Sequence, residues 1–527
     1  MGEYITILGL FLGLCLASFV LKVLGTLFLK PRLQERAFRK QGIPGPPYSF
    51  FNGDHKEMRK MMQQAIATMP KAPTHDILPY YNPLMYQMTK KYGKMFYIWL
   101  GTLPRVVLLE PKLIREMLTN KGEEFHKPEI NAFTRLFTAG VSSLNGQKWA
   151  MHRKIINPAF HMEKLKGMTP TIAKCMEAMI SKWEKALGSK ESHELDVSIE
   201  FQKLTADIIS RVAFGNRYEE GSRVFQLLNE QGKLLSKVYY MATFPWLRHL
   251  PTKTNFRMKQ INREVTNTLK GIVTARQKAM EVGGSYVVKD DLLGLLLESN
   301  LKEQRENNSS RGKGGMTLED VIEECKLFYF AGHETTANLL TWTIVALSMH
   351  QDWQEKAREE VVGLVGIEKT PSFDDLSHLK LVTMVLQETL RLYPPVSITR
   401  TTGRKGAKLG DKYLPRGVSV FVPTPFLHRD QQVWGEDVLE FNPRRFSEGI
   451  SKASDKDPSP YFPFGWGPRI CIGQNLSMLE AKMALTMMLQ RFSFELSPSY
   501  AHIPYFVLTL QPLRGAQIIV HRLQPNP

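Results

Sequence analysis

Cysteine is scarce in this chain of 527 residues, which contains only four. No two of them lie at Cys-x-x-Cys spacing, so neither a disulfide-rich secreted scaffold nor a cysteine-based zinc site is expected. Negative charge is also in short supply, because 69 lysines and arginines stand against 51 acidic residues, a formal net charge of +18. No zinc finger, heptad repeat or RNA-binding aromatic motif directs that charge to nucleic acid. We therefore expect a basic surface that meets an anionic membrane or an acidic protein partner.

A long apolar run occurs at the N-terminus, in residues 4–29, where Lys22 is the only charge. A helix of this length spans the roughly 30 Å hydrocarbon core of a bilayer. Basic residues dominate the next segment, which places the bulk of the chain in the cytosol. The alternative is a cleaved secretory signal, but the run is long for one and no basic segment precedes it. We predict a transmembrane anchor at 4–29, a basic and proline-rich linker at 30–47, and a catalytic domain at 48–527.

Hydrophobic periodicity after the linker is mostly helical. Residues 165–187 and 197–214 follow the pattern of amphipathic helices. Thr317, followed by acidic residues, is expected to cap a long helix that extends to about His350. The segment 301–315 is polar and rich in glycine and serine, which indicates a surface loop. With no repeat and no later linker, the chain predicts one large domain.

Short strands interrupt the helices. Residues 96–100 and 105–109 predict a β-hairpin around Gly101. The expected fold class is therefore mainly α-helical with small β-sheets, preceded by one transmembrane helix.

Cys471 lies in the segment 464–473, with the sequence FGWGPRICIG. Glycines and a proline restrict this loop, and a helical run follows from Leu476. Backbone amides near a helix N-terminus stabilise a thiolate, and a thiolate ligand on haem iron favours O–O cleavage. Arg469 is placed to meet a haem propionate. A lone buried cysteine is the common alternative, but the pattern F-x-x-G-x-R-x-C-x-G is too long and specific to arise by chance.

This pattern resembles the cysteine-loop signature of the cytochrome P-450 family, the haem-thiolate monooxygenases. The resemblance covers essentially the whole chain, and it implies the cytochrome P-450 fold with haem b (iron protoporphyrin IX) as cofactor and Cys471 as the proximal iron ligand. The segments 157–161, 320–332 and 391–395 are similar to those of the plant microsomal group that contains secologanin synthase. The residues that match the signature are Phe464, Gly467, Arg469, Cys471 and Gly473.

Glu388 and Arg391 lie three residues apart on one helix face. On an exposed helix such a pair contributes only about 0.2–0.5 kcal/mol. Here the helix is apolar, and the pair resembles the family's E-x-x-R motif, which is buried and bonded to a second arginine. Arg445 is at the position of that second arginine. The resemblance implies a structural role, in which the carboxylate of Glu388 is held between the bidentate guanidiniums of Arg391 and Arg445.

Gly332, Glu334 and Thr335 lie in the middle of the predicted long helix. A packing glycine beside core threonines is the simple explanation, since threonine hydroxyls also bond back to helix carbonyls. The resemblance instead implies the oxygen-binding helix of the family. In that case Gly332 leaves a groove for dioxygen, Thr335 donates a hydrogen bond to it, and Glu334 relays protons from solvent.

Further cofactor-binding residues follow from the same resemblance. Trp149 and Arg153 match a W-x-x-x-R pattern, which places both on one helix face. Arg400 matches another arginine that binds a haem propionate, as does Arg469. The predicted cofactor-binding set is Cys471, Trp149, Arg153, Arg400, Arg469, Phe464 and Gly473.

The pocket that the resemblance implies is apolar and aromatic, which suits a small lipophilic substrate. The group's substrates suggest a terpenoid-derived skeleton, whether iridoid, triterpenoid, steroid or gibberellin-like. The expected lining includes Phe133, Phe137, Phe244, Trp246, Phe328, Val396, Ile398, Tyr505 and Phe506.

The implied activity is that of a monooxygenase anchored by a single pass in the endoplasmic reticulum membrane, with a cytosolic catalytic domain. It uses O2 and two electrons from NADPH, delivered by a separate NADPH-cytochrome P-450 reductase that docks on the basic face around the cysteine loop. One alternative is a haem-thiolate isomerase or dehydratase that needs no external electrons, and another is a non-catalytic haem-binding sensor or carrier. The intact pair Glu334 and Thr335 favours the monooxygenase, because neither alternative needs a proton relay.

Overall fold

Helices dominate the described part of the protein, and its strands form four small sheets. The prediction of a mainly α-helical fold with small β-sheets is therefore confirmed. The computed structural model describes residues 2–50, 53–70, 72–120, 124–129, 135–136, 139–215, 218–238, 251–282, 291–307, 314–454, 459–506 and 508–523.

The chain begins with a helix that continues well beyond the apolar run. It consists of the α-helix Gly2–Leu24, a π-helical turn at Gly25–Leu29 and the α-helix Lys30–Lys40. The segment from Tyr4 to Lys40 is long and apolar enough to cross a membrane by length and composition, and its most apolar part is not buried against the rest of the protein. The first part of the predicted linker is thus helical and continuous with the anchor.

The end of this helix packs on the globular part. Phe38 is fully buried, and its ring centroid lies 5.1 Å from that of Tyr97. The hydroxyl of Tyr48 donates to the carbonyl oxygen of Leu27 at 2.9 Å. Charged residues that follow an apolar helix would otherwise extend into solvent, so these contacts fix the direction in which the N-terminal helix leaves the globular part.

The helix Leu318–Met349, hereafter the long helix, is the longest in the described part of the chain after residue 40. Thr317 forms a capping box with Asp320, in which each side chain accepts from the other's backbone amide. Nearly all of its second half is buried, because it packs against other helices on several sides. The principal helical neighbours are Val197–Phe214, Lys253–Val282, Lys380–Leu392 and Gln474–Arg491.

The remaining α-helices surround this centre. Helices longer than one turn are His55–Ala67, Pro83–Tyr92, Pro111–Thr119, Gly146–Ile156, Met162–Leu187, Tyr218–Val238, Lys253–Val282, Leu292–Asn307, Gln351–Leu364 and Phe373–His378; single turns are Leu78–Tyr81, Thr424–Leu427 and Gln431–Trp434.

The strands are β1 Met95–Leu100, β2 Leu103–Leu108, β3 Phe125–His126, β4 Ser192–Asp196, β5 Ile398–Thr402, β6 Ala407–Leu409, β7 Lys412–Leu414, β8 Ser419–Val422, β9 Phe492–Leu496, β10 Pro504–Phe506, β11 Leu510–Pro512 and β12 Gln517–Arg522. The largest sheet has five strands in the order β1-β2-β8-β5-β3, and the others have the orders β4-β12-β9, β6-β7 and β10-β11. The predicted hairpin is the antiparallel β1–β2 pair of the largest sheet, with Met95 opposite Leu108.

One prediction about local structure was wrong. The segment 301–315 does not begin as a loop, because the helix Leu292–Asn307 extends through its first seven residues. The first turns of that helix are buried, including Leu293 and Leu296. Burial of these apolar residues stabilises the start of the helix, and the polar residues that follow continue it. Residues 308–313 lie outside the described part of the chain.

Candidate active site

A cavity of about 340 Å³ lies between the middle of the long helix and the segment 464–473, hereafter the cysteine loop. Cys471 lines this cavity from one side, and Gly332 and Thr335 line it from the other. Two distant parts of the sequence, more than 130 residues apart, therefore meet at one internal space.

The cysteine loop holds its sulfur in place through backbone contacts. The amide of Cys471 donates to the carbonyl oxygen of Phe464 at 2.9 Å, and the helix Gln474–Arg491 begins three residues later. Burial raises the pKa of the Cys471 thiol, whereas the amide of Gly473 and the charges of Arg153 and Lys127 act in the opposite direction. One backbone donor and two cations that favour a thiolate thus already lie near the sulfur.

Four cationic side chains line the same cavity: Lys127, Arg153, Arg400 and Arg469. Among the described residues of the lining, Glu480 is the single carboxylate. Burial and the neighbouring Arg469 lower the pKa of Arg400 to about 10, and burial with Arg400 and Arg469 lowers that of Lys127 to about 7. Buried like charges are unfavourable unless an anion joins them. The cavity therefore has the charge of a binding site for an anionic ligand.

Hydrogen bonds connect these cations to the cysteine loop and to each other. Arg153 donates from Nη1 to the carbonyl oxygen of Ile470 at 2.9 Å. Asn145 accepts from Arg469 at 3.1 Å and from the amide of Lys127 at 2.9 Å through the same oxygen. The ring centroid of Trp149 lies 4.3 Å from the guanidinium carbon of Arg469, a cation–π distance.

Glu388 and Arg391 form a fully buried bidentate pair, with N–O distances of 2.7 and 2.8 Å. Arg391 also donates to the carbonyl oxygens of His428, Val438 and Glu440. All five N–H donors of the guanidinium are thereby used, and they join the helix Lys380–Leu392 to two later loops.

Arg445 does not take the second bidentate position that the sequence predicts. Its Nε lies 3.8 Å from Glu388, too far for a hydrogen bond. The backbone amide of Asn442 instead donates to Glu388 at 2.9 Å. Arg445 pairs with Asp437 at 2.8 Å and donates to the carbonyl oxygen of Trp434. A backbone amide satisfies the carboxylate here, so the second arginine stabilises the neighbouring loop.

His428 connects this cluster to the cysteine side of the cavity. Its Nε2 accepts from the amide of Phe462 at 3.1 Å, and its Nδ1 lies 3.1 Å from the carbonyl oxygen of Arg391. Phe462 is itself part of the cavity lining. These contacts require a neutral ring with the proton on Nδ1, and burial together with the charge of Arg391 lowers the pKa of His428 to about 3.

Gly332 lines the cavity with its backbone, and the space on the side of its missing Cβ is filled. A Cβ atom at this position would come within 2.7 Å of Cδ1 of Ile209. Ile209 lies on the helix Val197–Phe214 and is also part of the lining. The glycine is therefore needed because two helices approach closely here, as the simple packing explanation has it.

Thr335 and Glu334 point in different directions. Thr335 lines the cavity, and its hydroxyl donates back to the carbonyl oxygen of Ala331 at 2.8 Å. Glu334 is not among the described lining residues; its carboxylate accepts from the hydroxyl of Thr509 at 3.0 Å. Asn338 donates to the same hydroxyl. The acid and the alcohol thus occupy adjacent faces of one helix turn.

The family is decided by comparison with known proteins. A model described as cytochrome P450 matches residues 80–515. This chain belongs to the cytochrome P450 family. The predicted resemblance is confirmed, and the protein is an oxidoreductase of the P450 monooxygenase class.

Similar P450s come from several plants. Cytochrome P450 CYP72A616 of Paris polyphylla is 50% identical, over 94% of this chain and 95% of its own length. The 11-oxo-beta-amyrin 30-oxidase of Glycyrrhiza uralensis is 48% identical, over 96% and 95%. Secologanin synthase 2 of Catharanthus roseus is 46% identical, over 95% and 94%. The predicted similarity to the group that contains secologanin synthase is therefore confirmed as well.

A P450 implies a haem-iron cofactor, and the cavity of this P450 fits one. Haem needs an axial donor for iron and partners for two propionates. Cys471 provides a thiol, and the cationic side chains beside it lack carboxylate partners within the described lining. Of the predicted cofactor-binding residues, all line this cavity: Cys471, Trp149, Arg153, Arg400, Arg469, Phe464 and Gly473.

The predicted substrate-pocket residues of this P450 divide into three groups. Phe328, Val396 and Ile398 line the cavity, whereas Tyr505 and Phe506 are not among its described lining residues. The others, Phe133, Phe137, Phe244 and Trp246, lie outside the described part of the chain.

Two ionisable residues of this P450's cavity, Lys127 and Glu480, were not predicted from the sequence. Lys127 has no motif around it, and its position depends on Asn145. Glu480 lies on the helix after Cys471 and is 1% exposed, and burial raises its pKa well above the usual range. The one sequence signal for Glu480 is that an acidic residue stands on a largely apolar stretch of the helix Gln474–Arg491.

Proposed function

We propose that this P450 is a membrane-anchored haem-thiolate monooxygenase that hydroxylates or further oxidises a lipophilic, terpenoid-derived substrate. A C–H bond and O2, with NADPH and one proton, would give the alcohol, water and NADP+. The electrons would come from NADPH-cytochrome P-450 reductase. The observation that carries the proposal is the meeting of Cys471, the cationic cluster and Thr335 at one cavity.

The cofactor in this proposal is haem b, which when bound supplies the activation of dioxygen. Cys471 provides the thiolate ligand for its iron. Arg153, Arg400 and Arg469, with Trp149 beside them, bind the propionates, and Lys127 joins them. A propionate would also restore the ordinary charged state of Lys127, because an anion favours the protonated amine.

Thr335 holds a proton at the wall of the cavity. Its hydroxyl, which donates to Ala331, is positioned to exchange that bond for a contact with dioxygen. Glu334 stands behind it, in contact with Thr509 rather than with the cavity. We propose that a change of Glu334 rotamer away from Thr509 passes a proton toward Thr335.

The substrate class is supported by the apolar wall and by the relatives. Phe328, Leu339, Val396 and Ile398 provide apolar surface in the same cavity, which suits a bulky hydrocarbon skeleton. One relative is named as an oxidase of 11-oxo-beta-amyrin and another as a secologanin synthase. We propose a triterpenoid, steroid, iridoid or gibberellin-like skeleton on this basis.

The N-terminal helix supports a single-pass anchor with the catalytic domain in the cytosol. Basic residues follow its apolar part, and the packing of Phe38 on Tyr97 brings that boundary against the domain. We propose the endoplasmic reticulum as the membrane, since the reductase partner must share it.

The test is a difference spectrum of the reduced protein with and without carbon monoxide, on membranes that contain the full chain. We expect a strongly red-shifted Soret band, which Cys471→His abolishes. Cys175→Ala is the matched control, because it removes a different buried thiol and is expected to keep the band. Folded, haem-loaded wild-type protein without that band would refute the proposal.

A second measurement separates the alternatives. Terpenoid skeletons incubated with this P450, reductase, NADPH and O2 should gain one oxygen atom. Conversion of hydroperoxides without NADPH would indicate the isomerase or dehydratase instead. A thiolate spectrum with no turnover of either kind would indicate a haem-binding carrier.

A further inference from the structure

The first half of the long helix carries two adjacent glutamates that hold one loop. Glu323 accepts from the amide of Ala139 at 3.0 Å, and Glu324 accepts from the amide of Val141 at 3.0 Å. Val141 and its neighbour Ser142 line the cavity. Two carboxylates of the helix thus fix a segment of the cavity wall by its backbone.

The other oxygen of Glu324 binds a second element. His152 Nδ1 lies 2.6 Å from it, and both side chains are at most 1% exposed. His152 belongs to the helix Gly146–Ile156, between Trp149 and Arg153, which line the cavity. One carboxylate therefore joins the long helix, the loop at 139–142 and the helix that presents Arg153.

The approach of the loop to this carboxylate is close. A Cβ atom on Gly140 would lie 2.7 Å from Oε2 of Glu324 and 3.1 Å from the carbonyl oxygen of Glu323. Backbone atoms of the helix cannot move aside, so a side chain at residue 140 would push the loop off the helix. The contact between Val141 and Glu324 consequently depends on glycine at this position.

Neighbouring ion pairs keep the acids in place. Glu323 pairs with Lys326 at 2.6 Å, and Lys326 is 1% exposed. Lys148 pairs with Asp320 at 2.5 Å, which attaches the Arg153 helix to the long helix at a second, more exposed point. The segment 320–326 of the long helix thus binds both the loop at 139–142 and the helix Gly146–Ile156.

We propose that His152 and Glu324 are positioning residues, which hold Arg153 and Trp149 in register with the cysteine loop and so retain the cofactor. The proposal rests on the proposed function, because it concerns the same cavity. The adjacent residue Arg153 already donates to the carbonyl oxygen of Ile470, next to Cys471. A small rotation of its helix would break that contact and move the guanidinium away from an anionic ligand.

The experiment measures release of haem from the full-length holoprotein to excess apomyoglobin. Partners that orient cofactor-binding groups typically change affinity about 10–100-fold when removed. We expect release to accelerate by about that factor in His152→Phe and in Glu324→Leu. Because the two residues form one contact, the double variant should release haem no faster than the faster single variant.

A spectroscopic readout distinguishes positioning from simple loss of stability. Resonance Raman bands of propionate bending report hydrogen bonds to those groups. We expect these bands to shift in His152→Phe at a temperature where the variant is fully folded. Glu324→Gln should restore the wild-type bands and release rate, because its amide both accepts from Val141 and donates to His152.

The matched control is Glu360→Leu. Glu360 also accepts from two backbone amides, those of Leu381 and Val382, but it is not among the described residues of the cavity lining. We expect the wild-type rate of haem release from this variant. Equal acceleration in Glu360→Leu and Glu324→Leu, or the wild-type rate in His152→Phe, would overturn the proposal.

If a single variant at His152 or Glu324 does not fold, a double variant provides a further test. The double variant His152→Leu/Glu324→Leu removes both polar groups together and buries no unpaired charge. The wild-type rate of release from it would also overturn the proposal. A wild-type protein that lacks the thiolate band would instead refute the proposed function, so the two failures are distinguishable.

Discussion

The two sides of the cavity are held by different forces. Behind the cysteine loop, Glu388, Arg391 and His428 form a buried network in which charged and polar atoms bond to backbone groups. On the opposite wall, the long helix meets the helix Val197–Phe214 through contacts such as Gly332 against Ile209. A network of charges stabilises only when complete, whereas an apolar contact tolerates graded change. Substitutions on the cysteine side should therefore have larger and more abrupt effects.

The largest effect is expected for Arg391→Lys. Lysine retains the charge but has three donors on one atom, so it cannot match the five contacts of the buried guanidinium. Leaving a buried carboxylate and several carbonyls unpaired costs about 3–5 kcal/mol. We expect loss of most folded, haem-loaded protein, measured by urea unfolding and haem content.

Arg257→Lys is the control for that substitution. Arg257 also forms a bidentate pair, with Glu230, but both side chains are about a third exposed or more. Surface pairs contribute about 0–1 kcal/mol. Equal destabilisation by the two substitutions would contradict the distinction between a complete buried network and an ordinary ion pair.

A smaller effect is expected when acid breaks the network at His428. Burial lowers the pKa of His428 to about 3, whereas an unfolded histidine titrates near 6.5. The folded state therefore binds fewer protons than the unfolded state between these values, and its stability falls as the pH falls below about 6.5. The slope for one such histidine is about 1.4 kcal/mol per pH unit. Protonation would also deprive the amide of Phe462 of its acceptor.

His428→Gln tests this slope directly. Glutamine can accept from the backbone amide of Phe462 and donate to the carbonyl oxygen of Arg391, and it does not titrate. The free energy of unfolding between pH 6.5 and 4 should fall less steeply in this variant than in wild type, by about 1.4 kcal/mol per pH unit. His502 also has a pKa lowered by burial, to about 4, so some slope will remain. Parallel curves for the two proteins would show that His428 is not the responsible group.

The comparison also explains what the sequence could predict. Each of these two motifs lies within ten consecutive positions, the cysteine loop at 464–473 and the pair at Glu388 and Arg391. The pattern of the loop indicates its chemistry, and the family resemblance then gives the role of the pair. His152 and Glu324 are 172 positions apart, and neither has a periodic pattern that relates it to the other. Their contact exists because the long helix crosses the interior. Global packing, rather than local spacing, decides such pairs.

Packing also decides what each residue of a local motif contacts. Glycine, acid and threonine at 332–335 were correctly assigned to one long helix, but the pattern did not reveal which way each residue faces. Ile209 fills the space beside Gly332, and Thr509 binds Glu334. Both partners come from other elements. A motif thus predicts which residues are near the site, and packing determines which of them reach it.

The smallest effect is expected on the apolar wall, for Gly332→Ala. The added methyl would approach Ile209 to 2.7 Å and force that side chain to shift. Overpacking typically costs about 1–3 kcal/mol, and the higher helix propensity of alanine offsets about 1 kcal/mol. Gly363→Ala is the matched control, because it lies in the helix Gln351–Leu364 and nothing lies within 4 Å of its added Cβ. We expect Gly363→Ala to be neutral or stabilising by up to about 1 kcal/mol, and Gly332→Ala to be destabilising with haem still bound. A loss of haem from Gly332→Ala as complete as that from Arg391→Lys would show that the wall is as intolerant as the charged network.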